Sequence, residues 1–188
     1  MHNLAPLTAL GATEARIDVI HGLTIREMPD IALASISTRL GKQAGFKRAV
    51  KAATGIELPA PGTSASASGM TIFWMAPDQW MVEASHDRHE NLAATLATAI
   101  KANGSVTEQN DGWARFDLEG DQCCAVLERL IATDSAGMTK GAATRTAIEH
   151  LGCFLLCRKA AKHYSVLCPR SGAASLHHAI ISAARSAL

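Results

Sequence analysis

The stretch FWMAPDQW, at residues 73–80, places two of the chain's three tryptophans around one tight turn. The short apolar segment 70–76 predicts a buried strand, Pro77 and Asp78 predict the turn, and residues 80–84 predict a second strand. Trp74 and Trp80 are therefore expected to anchor the core. The alternative is that one of them is exposed as an anchor for a protein partner, because tryptophan is enriched in that role.

Outward from this stretch, the first half of the chain alternates strands with helices. Residues 23–28 and 31–38 predict two strands joined by a turn at Pro29 and Asp30, and so a hairpin. Residues 42–54 predict a helix that ends at Gly55, residues 59–69 predict a loop, and residues 88–101 predict a second helix capped by Asp87.

The second half repeats this order of elements. Residues 105–109 and 113–118 predict strands around an Asn-Asp-Gly turn, a strong hairpin signal, and a helix opens at Gly120. Three further strands (142–148, 152–157 and 164–168) and a closing helix from residue 170 complete the pattern. The order predicts the α+β class, with helices covering largely antiparallel sheet. We expect a flexible N-terminal arm at 1–20, then one domain over 21–188 in two similar halves, about 21–103 and 104–188.

Composition limits the partners and the compartment. The 188 residues carry 18 basic and 17 acidic side chains, and this balance argues against nucleic acid or an anionic membrane as a partner. No apolar run approaches the roughly 18 residues of a membrane span. The five cysteines form no C-x-x-C pair, which favours reduced thiols and a cytoplasmic protein. The low net charge is compatible with a permanent protein partner.

The residues predict no catalytic, cofactor-binding or metal site in this chain. The glycines are too widely spread for a phosphate-binding loop, and no histidine or cysteine stands in a convincing nucleophile arrangement. His86 and His89 could share one helix face, but no third metal ligand is near in sequence. Trp113 and Arg145 are candidates for roles in the fold or at an interface. A buried Arg145 would need a carboxylate, such as Glu149 or an acid of a partner chain.

Four segments together resemble a known family. WMAPDQWMV at residues 74–82 is similar to its W-L-G-P-D-E-W-L-L segment, and residues 106–118 with EGD at 119–121 are similar to its V-x-D-x-S strand region. ATRT at 143–146 resembles its A-Q-T-R step, and VLCPRS at 166–171 resembles its Y-V-P-R-S step. The order matches the gamma-subunit family of heterotetrameric sarcosine oxidase, within the wider aminomethyltransferase (glycine-cleavage T-protein) group.

The resemblance implies a folate-binding-like α+β fold and an accessory role. Such complexes demethylate sarcosine oxidatively to glycine, giving hydrogen peroxide and either methylenetetrahydrofolate or formaldehyde. By resemblance, FAD, FMN, NAD and tetrahydrofolate belong to partner subunits, and no cofactor belongs to this chain. The expected partners are the alpha, beta and delta subunits, and the expected role is assembly and stabilisation of the complex.

Departures from the family pattern support a non-catalytic chain, and two rival functions stay open. EQN at residues 108–110 keeps neither the aspartate nor the serine of the D-x-S region. One rival is a stand-alone tetrahydrofolate-binding or aminomethyltransferase-like protein, for which Glu108, Asp111 and Glu149 are the candidate carboxylates. A metal-dependent hydrolase using His86 and His89 is the weaker rival.

Overall fold

A computed structural model describes residues 5–187, which divide into two compact units. Among the described residues, the first unit comprises 5–29, 111–140 and 145–187, and the second comprises 30–110 and 141–144. In chain order the elements are β1 (Ile17–Ile20), β2 (Leu23–Glu27), β3 (Ile31–Thr38), α1 (Gln43–Thr54), β4 (Ser64–Ala67), β5 (Met70–Ala76), β6 (Gln79–Ser85), α2 (Leu92–Ile100), β7 (Gly104–Glu108), β8 (Trp113–Glu119), α3 (Cys123–Leu127), β9 (Ala143–Ile148), β10 (Leu151–Lys159), β11 (His163–Pro169) and α4 (Ala173–Ala187).

The first unit is built on a six-stranded sheet in the order β1-β2-β8-β11-β10-β9. Its pairs β1–β2, β2–β8, β8–β11 and β10–β11 are antiparallel. Along β8, Ala114, Phe116 and Leu118 alternate with polar residues and are buried. The Phe116 ring lies 5.9 Å from the ring of His177 on α4, so this apolar row faces the helical side of the sheet.

The second unit is built on a five-stranded antiparallel sheet in the order β4-β5-β6-β3-β7. Side chains of α1 and α2 complete its core with residues of the sheet. In α1 the apolar residues Phe46 and Val50 lie one turn apart, so they share the buried face. The helix ends at Gly55, whose φ of 72° is left-handed and whose N–H donates to the oxygen of Lys51.

Most of the predicted elements are confirmed. The segment around residues 73–80 forms the β5–β6 pair, in which Trp74 lies opposite Trp80 and Asp78 occupies the turn with a φ of 59°. Helix α1 and the strands β8 to β11 fall within two residues of their predicted bounds. The expectation of helices and antiparallel sheet is confirmed for both units.

Both hairpins predicted outside residues 70–85 are wrong. Strand β2 pairs with β1 and β8, whereas β3 pairs with β6 and β7, so the turn at Pro29 joins two different sheets. Likewise β7 and β8 lie in different sheets. The side chain of Asn110 accepts a 2.7 Å hydrogen bond from the N–H of Leu33 on β3 instead of closing the predicted Asn-Asp-Gly turn. A turn signal shows where the chain reverses direction. It does not show which strand the next segment pairs with.

Two observed strands were not predicted from the sequence, and the second predicted helix is longer than the observed one. Strand β4 lies in the predicted loop, and its Ser-Ala-Ser-Ala sequence lacks the branched residues that indicate strands. Helix α2 begins at Leu92, and Asp87 lies in a preceding short 3-10 turn without capping it. Strand β1 lies within the predicted arm, whose residues 1–4 are outside the described part of the chain.

The described part of the N-terminal segment is held by one buried carboxylate. Glu27 is 2% exposed, and its oxygens accept hydrogen bonds from the N–H groups of Leu10 (3.0 Å) and Arg16 (3.1 Å). These charge-assisted bonds fix the chain that enters β1. Among residues 5–187 no helix is long and apolar enough to cross a bilayer.

Candidate functional site

The face of the six-stranded sheet opposite α4 carries a cluster of charged side chains. On β8, Arg115, Asp117 and Glu119 alternate with the apolar row, so all three point to this face. On β11, Ser165 lies opposite Asp117 and His163 lies opposite Glu119. Strand pleat and register therefore bring residues of two distant segments together.

Asp117 is the centre of this cluster. It is 3% exposed, and its Oδ1 accepts hydrogen bonds from Nε of Arg115 (2.7 Å) and from the Ser165 hydroxyl (2.6 Å). Its Oδ2 accepts a bond from Nη2 of Arg115 (2.6 Å) and lies 3.2 Å from Nε2 of His163. The Ser165 hydroxyl accepts in turn from Nε of Arg158 at 2.8 Å. The bidentate arginine pair is the strong geometry for a carboxylate.

The pKa of Asp117 lies well below the ordinary range of an aspartate. Burial alone would raise this pKa, but the bonds from His163, Arg115 and Ser165 outweigh burial and lower it. The carboxylate is therefore ionised throughout the neutral and mildly acid range. A carboxylate with so low a pKa is a poor general base.

The same cluster contains three groups with the spacing of metal ligands. Asp117, Glu119 and His163 can bring ligand atoms within 4.8 Å of one another. However, each oxygen of Asp117 already accepts two hydrogen bonds, and the guanidinium of Arg115 is one donor to each. A cation would have to displace that guanidinium, so the cluster is better described as a closed ion-pair network than as a metal site.

Two of the four residues singled out in the sequence lie together in the first unit. Trp113 is half-buried, and its ring lies 5.2 Å from the ring of Phe154. Arg145 is exposed, and its guanidinium carbon lies 5.9 Å from the centre of the same Phe154 ring. The exposure of Arg145 removes the need for a buried carboxylate, and Glu149 lies in an exposed turn.

The other two tryptophans belong to the second unit. Trp80 is 8% exposed, its indole N–H donates to the oxygen of Pro59 at 2.9 Å, and its ring lies 5.9 Å from that of Phe46. Trp74 is half-buried and packs against the same core. Trp80 thus has the contacts of a core anchor, whereas Trp74 keeps part of its surface in solvent.

The remaining sequence candidates have exposed or peripheral positions. Glu108, Asp111 and Glu149 are all exposed. Among the described residues, no metal-spaced group contains His86 or His89. Asp117 is not among the site residues predicted from the sequence, although charged residues alternate at 115, 117 and 119 within an otherwise apolar strand. That alternation is the available signal, but it does not identify the partner strand.

Four of the five thiols are buried in the first unit. Burial raises the pKa of Cys123 and Cys168 to about 12 and that of Cys153 to about 11. Burial also raises the pKa of Cys157. Because the thiolate is the nucleophile, these groups are suited to packing rather than to covalent catalysis. Cys124 is half-buried, with its sulfur 3.6 Å from the Tyr164 hydroxyl.

We expect the folded protein to expose one thiol to a disulfide reagent at neutral pH. Cys124 should react first, because it alone of the five is not buried, and all five should react after unfolding. Absorbance of the released thiolate measures the number of reactive groups. Replacing Cys124 with serine should abolish the fast reaction, and a fast reaction that persists in this variant would contradict the assignment.

The comparisons with known proteins show the fold. The chain shares its fold with a chain of a heterotetrameric sarcosine oxidase. That structure, from Corynebacterium sp. U-96 in complex with pyrrole 2-carboxylate, matches with a TM-score of 0.77 and 23% identity, over 90% of this chain and 87% of the other. The two antiparallel sheets are thus consistent with the predicted folate-binding-like fold.

A second solved structure has the same arrangement within a longer chain. The glycine cleavage system aminomethyltransferase T from Bartonella henselae matches with a TM-score of 0.62 and 14% identity, over 82% of this chain but only 44% of that one. No family model matches the sequence of the chain, and no curated protein sequence matches it either.

Proposed function

We propose that this chain is the small, non-catalytic gamma subunit of a heterotetrameric sarcosine oxidase in the cytoplasm. Its role is to assemble and stabilise the complex with the alpha, beta and delta subunits. The complex oxidatively demethylates sarcosine to glycine, with hydrogen peroxide and methylenetetrahydrofolate or formaldehyde as the other products. FAD, FMN, NAD and tetrahydrofolate belong to the partner subunits in this proposal.

The observation that carries the proposal is the match to a chain of the Corynebacterium oxidase. Coverage of 90% of this chain and 87% of the other means that the two chains have nearly the same length. A match of this kind supports a small subunit. The T-protein match, by contrast, spans less than half of the enzyme.

The side chains support an accessory role. The buried Asp117 cluster is closed by Arg115 and Ser165, and the buried thiols have raised pKa values. The carboxylates considered for a pterin, among them Glu108 and Glu149, are exposed. A stable contact with a large subunit would bury roughly 2,000 Å² of surface or more and stabilise both chains by mass action.

The test is to purify the tagged chain from its native cells and to record the absorption spectrum and the sarcosine-dependent peroxide formation of the product. We expect yellow, flavin-containing material with larger subunits and oxidase activity. A strain lacking this chain should yield less assembled complex, because the interface would be missing. A colourless chain purified alone, or a fully active and stable complex without it, would contradict the proposal.

The T-protein likeness supports a second candidate, a stand-alone tetrahydrofolate-binding or aminomethyltransferase-like protein. Titration calorimetry of the purified chain with tetrahydrofolate separates the two. The subunit proposal predicts no binding heat at millimolar ligand, whereas the second candidate predicts saturable binding to the isolated chain.

A further inference from the structure

Part of the charged side of the six-stranded sheet is open to solvent. We name as the open face the side chains of Ile17, Val19, Thr24, Arg26 and Glu119, on β1, β2 and β8. Register places Ile17 beside Arg26, and Val19 beside Thr24, which lies beside Glu119. These residues therefore form one continuous surface at the β1 edge of the sheet.

The open face exposes apolar side chains on an edge strand. Ile17 is 47% exposed and Val19 is 68% exposed, and β1 has a neighbour strand on one side only. Branched apolar residues on an exposed edge strand favour association with another chain. Asp18 points the other way, where it accepts a 2.8 Å bond from Nε2 of His177.

The open face carries one positive and one negative side chain, so two copies of it can pair opposite charges. Arg26 is exposed and has no ion pair within residues 5–187. Glu119 is 54% exposed and lies 3.8 Å from His163. The two are diagonal neighbours on β2 and β8, because Arg26 pairs with Asp117 and Glu119 is two residues further along β8.

We propose that a second copy of this chain docks on the open face through a two-fold axis between Arg26 and Glu119. With ordinary strand spacings, such an axis places each arginine against the glutamate of the other copy. The same operation brings Val19 close to its own counterpart. The contact has two symmetric ion pairs beside Thr24 and the buried Asp117, with the two Val19 side chains at its β1 end. It does not depend on the proposed function.

The size of the open face predicts a weak dimer. Three strands about 4.8 Å apart and a few residues about 3.3 Å apart cover only a few hundred Å², less than the roughly 800 Å² per partner of a stable interface. A reversible dimer is therefore expected, with a dissociation constant above about 10 µM. A long-range charge contribution should make the dimer weaker at high salt.

Sedimentation velocity of the purified full-length chain, from about 5 µM to about 1 mM, tests this. The wild type should shift from monomer to dimer with concentration, and Val19→Lys should stay monomeric, because two lysines would meet near the axis. Leu40→Lys is the control, since Leu40 is 96% exposed in the second unit and should dimerise as the wild type does.

Charge reversal gives the sharper test. Arg26→Glu and Glu119→Arg should each weaken self-association by about tenfold or more, because like charges would face each other. An equimolar mixture of the two variants should dimerise again, since each contact then pairs a glutamate of one copy with an arginine of the other. Circular dichroism checks that each variant is folded.

Three results would overturn the proposal. The first is a wild-type chain that is monomeric at every concentration. The second is a wild-type dimer whose variants do not associate on mixing. The third is growth into species larger than a dimer, because that would indicate a head-to-tail contact instead of a two-fold one.

Discussion

Replacing Asp117 with asparagine is expected to lower the free energy of unfolding by about 3–5 kcal/mol, the usual cost of removing one partner of a buried ion pair. The side chain of Asp117 is 4% exposed and that of Arg115 is 12% exposed, so water does not replace the lost bonds. Asparagine keeps the volume but offers an NH2 group to a guanidinium that also donates. Urea unfolding followed by circular dichroism measures the change.

The matched control is Asp121→Asn. Asp121 also forms an ion pair, 2.8 Å from Lys162, but both side chains are more than half exposed. Exposed pairs contribute little to stability, so this variant should unfold close to the wild type. Equal effects of the two substitutions would contradict a structural role for the Asp117 network.

The pH dependence gives an independent readout of the same network. Because the pKa of Asp117 is lower in the folded chain than in the unfolded one, its contribution to stability is complete above the unfolded pKa of about 4. The contribution is lost as the pH falls through the folded pKa. The stability difference between wild type and Asp117→Asn should therefore shrink below about pH 4.

Elements formed by neighbouring residues could be predicted from the sequence, whereas pairs of strands far apart in the chain could not. Helix α1 was predictable because an apolar stripe and a terminal Gly55 are both local signals. The β5–β6 pair was predictable because its two strands and its turn are contiguous. Strand partners further apart were not predictable, since β8 joins β2 and β11 across long stretches of chain.

The Asp117 cluster illustrates the same limit at the level of side chains. The sequence shows charges at 115, 117 and 119, but Ser165 is 48 residues away and reaches Asp117 only through the β8–β11 register. Arg145 and Trp113 are separate candidates in the sequence, and only the fold places both against Phe154. Residue types indicated which side chains could have a role. The strand register determined which of those side chains contact one another.

Replacing Trp80 with alanine is expected to destabilise the chain by about 3–5 kcal/mol, the usual cost of removing a large aromatic side chain from a core. Its ring packs with Phe46 in the core of the second unit, and its indole N–H bonds to the oxygen of Pro59. Phenylalanine at this position would keep part of the ring but lose the hydrogen bond. The expected loss for Trp80→Phe is therefore smaller, about 1–3 kcal/mol.

The control for Trp80 is Trp74→Ala in the paired strand. Trp74 is half-buried and directly opposite Trp80, so its truncation removes a similar ring from a wetter position and should cost less. Urea unfolding of both variants gives the comparison. A Trp80→Ala variant no less stable than Trp74→Ala would contradict the core-anchor assignment. If Trp80→Ala loses more stability than Trp74→Ala, the main role of Trp80 is to stabilise the core. The half-buried Trp74 and Trp113 then retain exposed surface that a partner can contact.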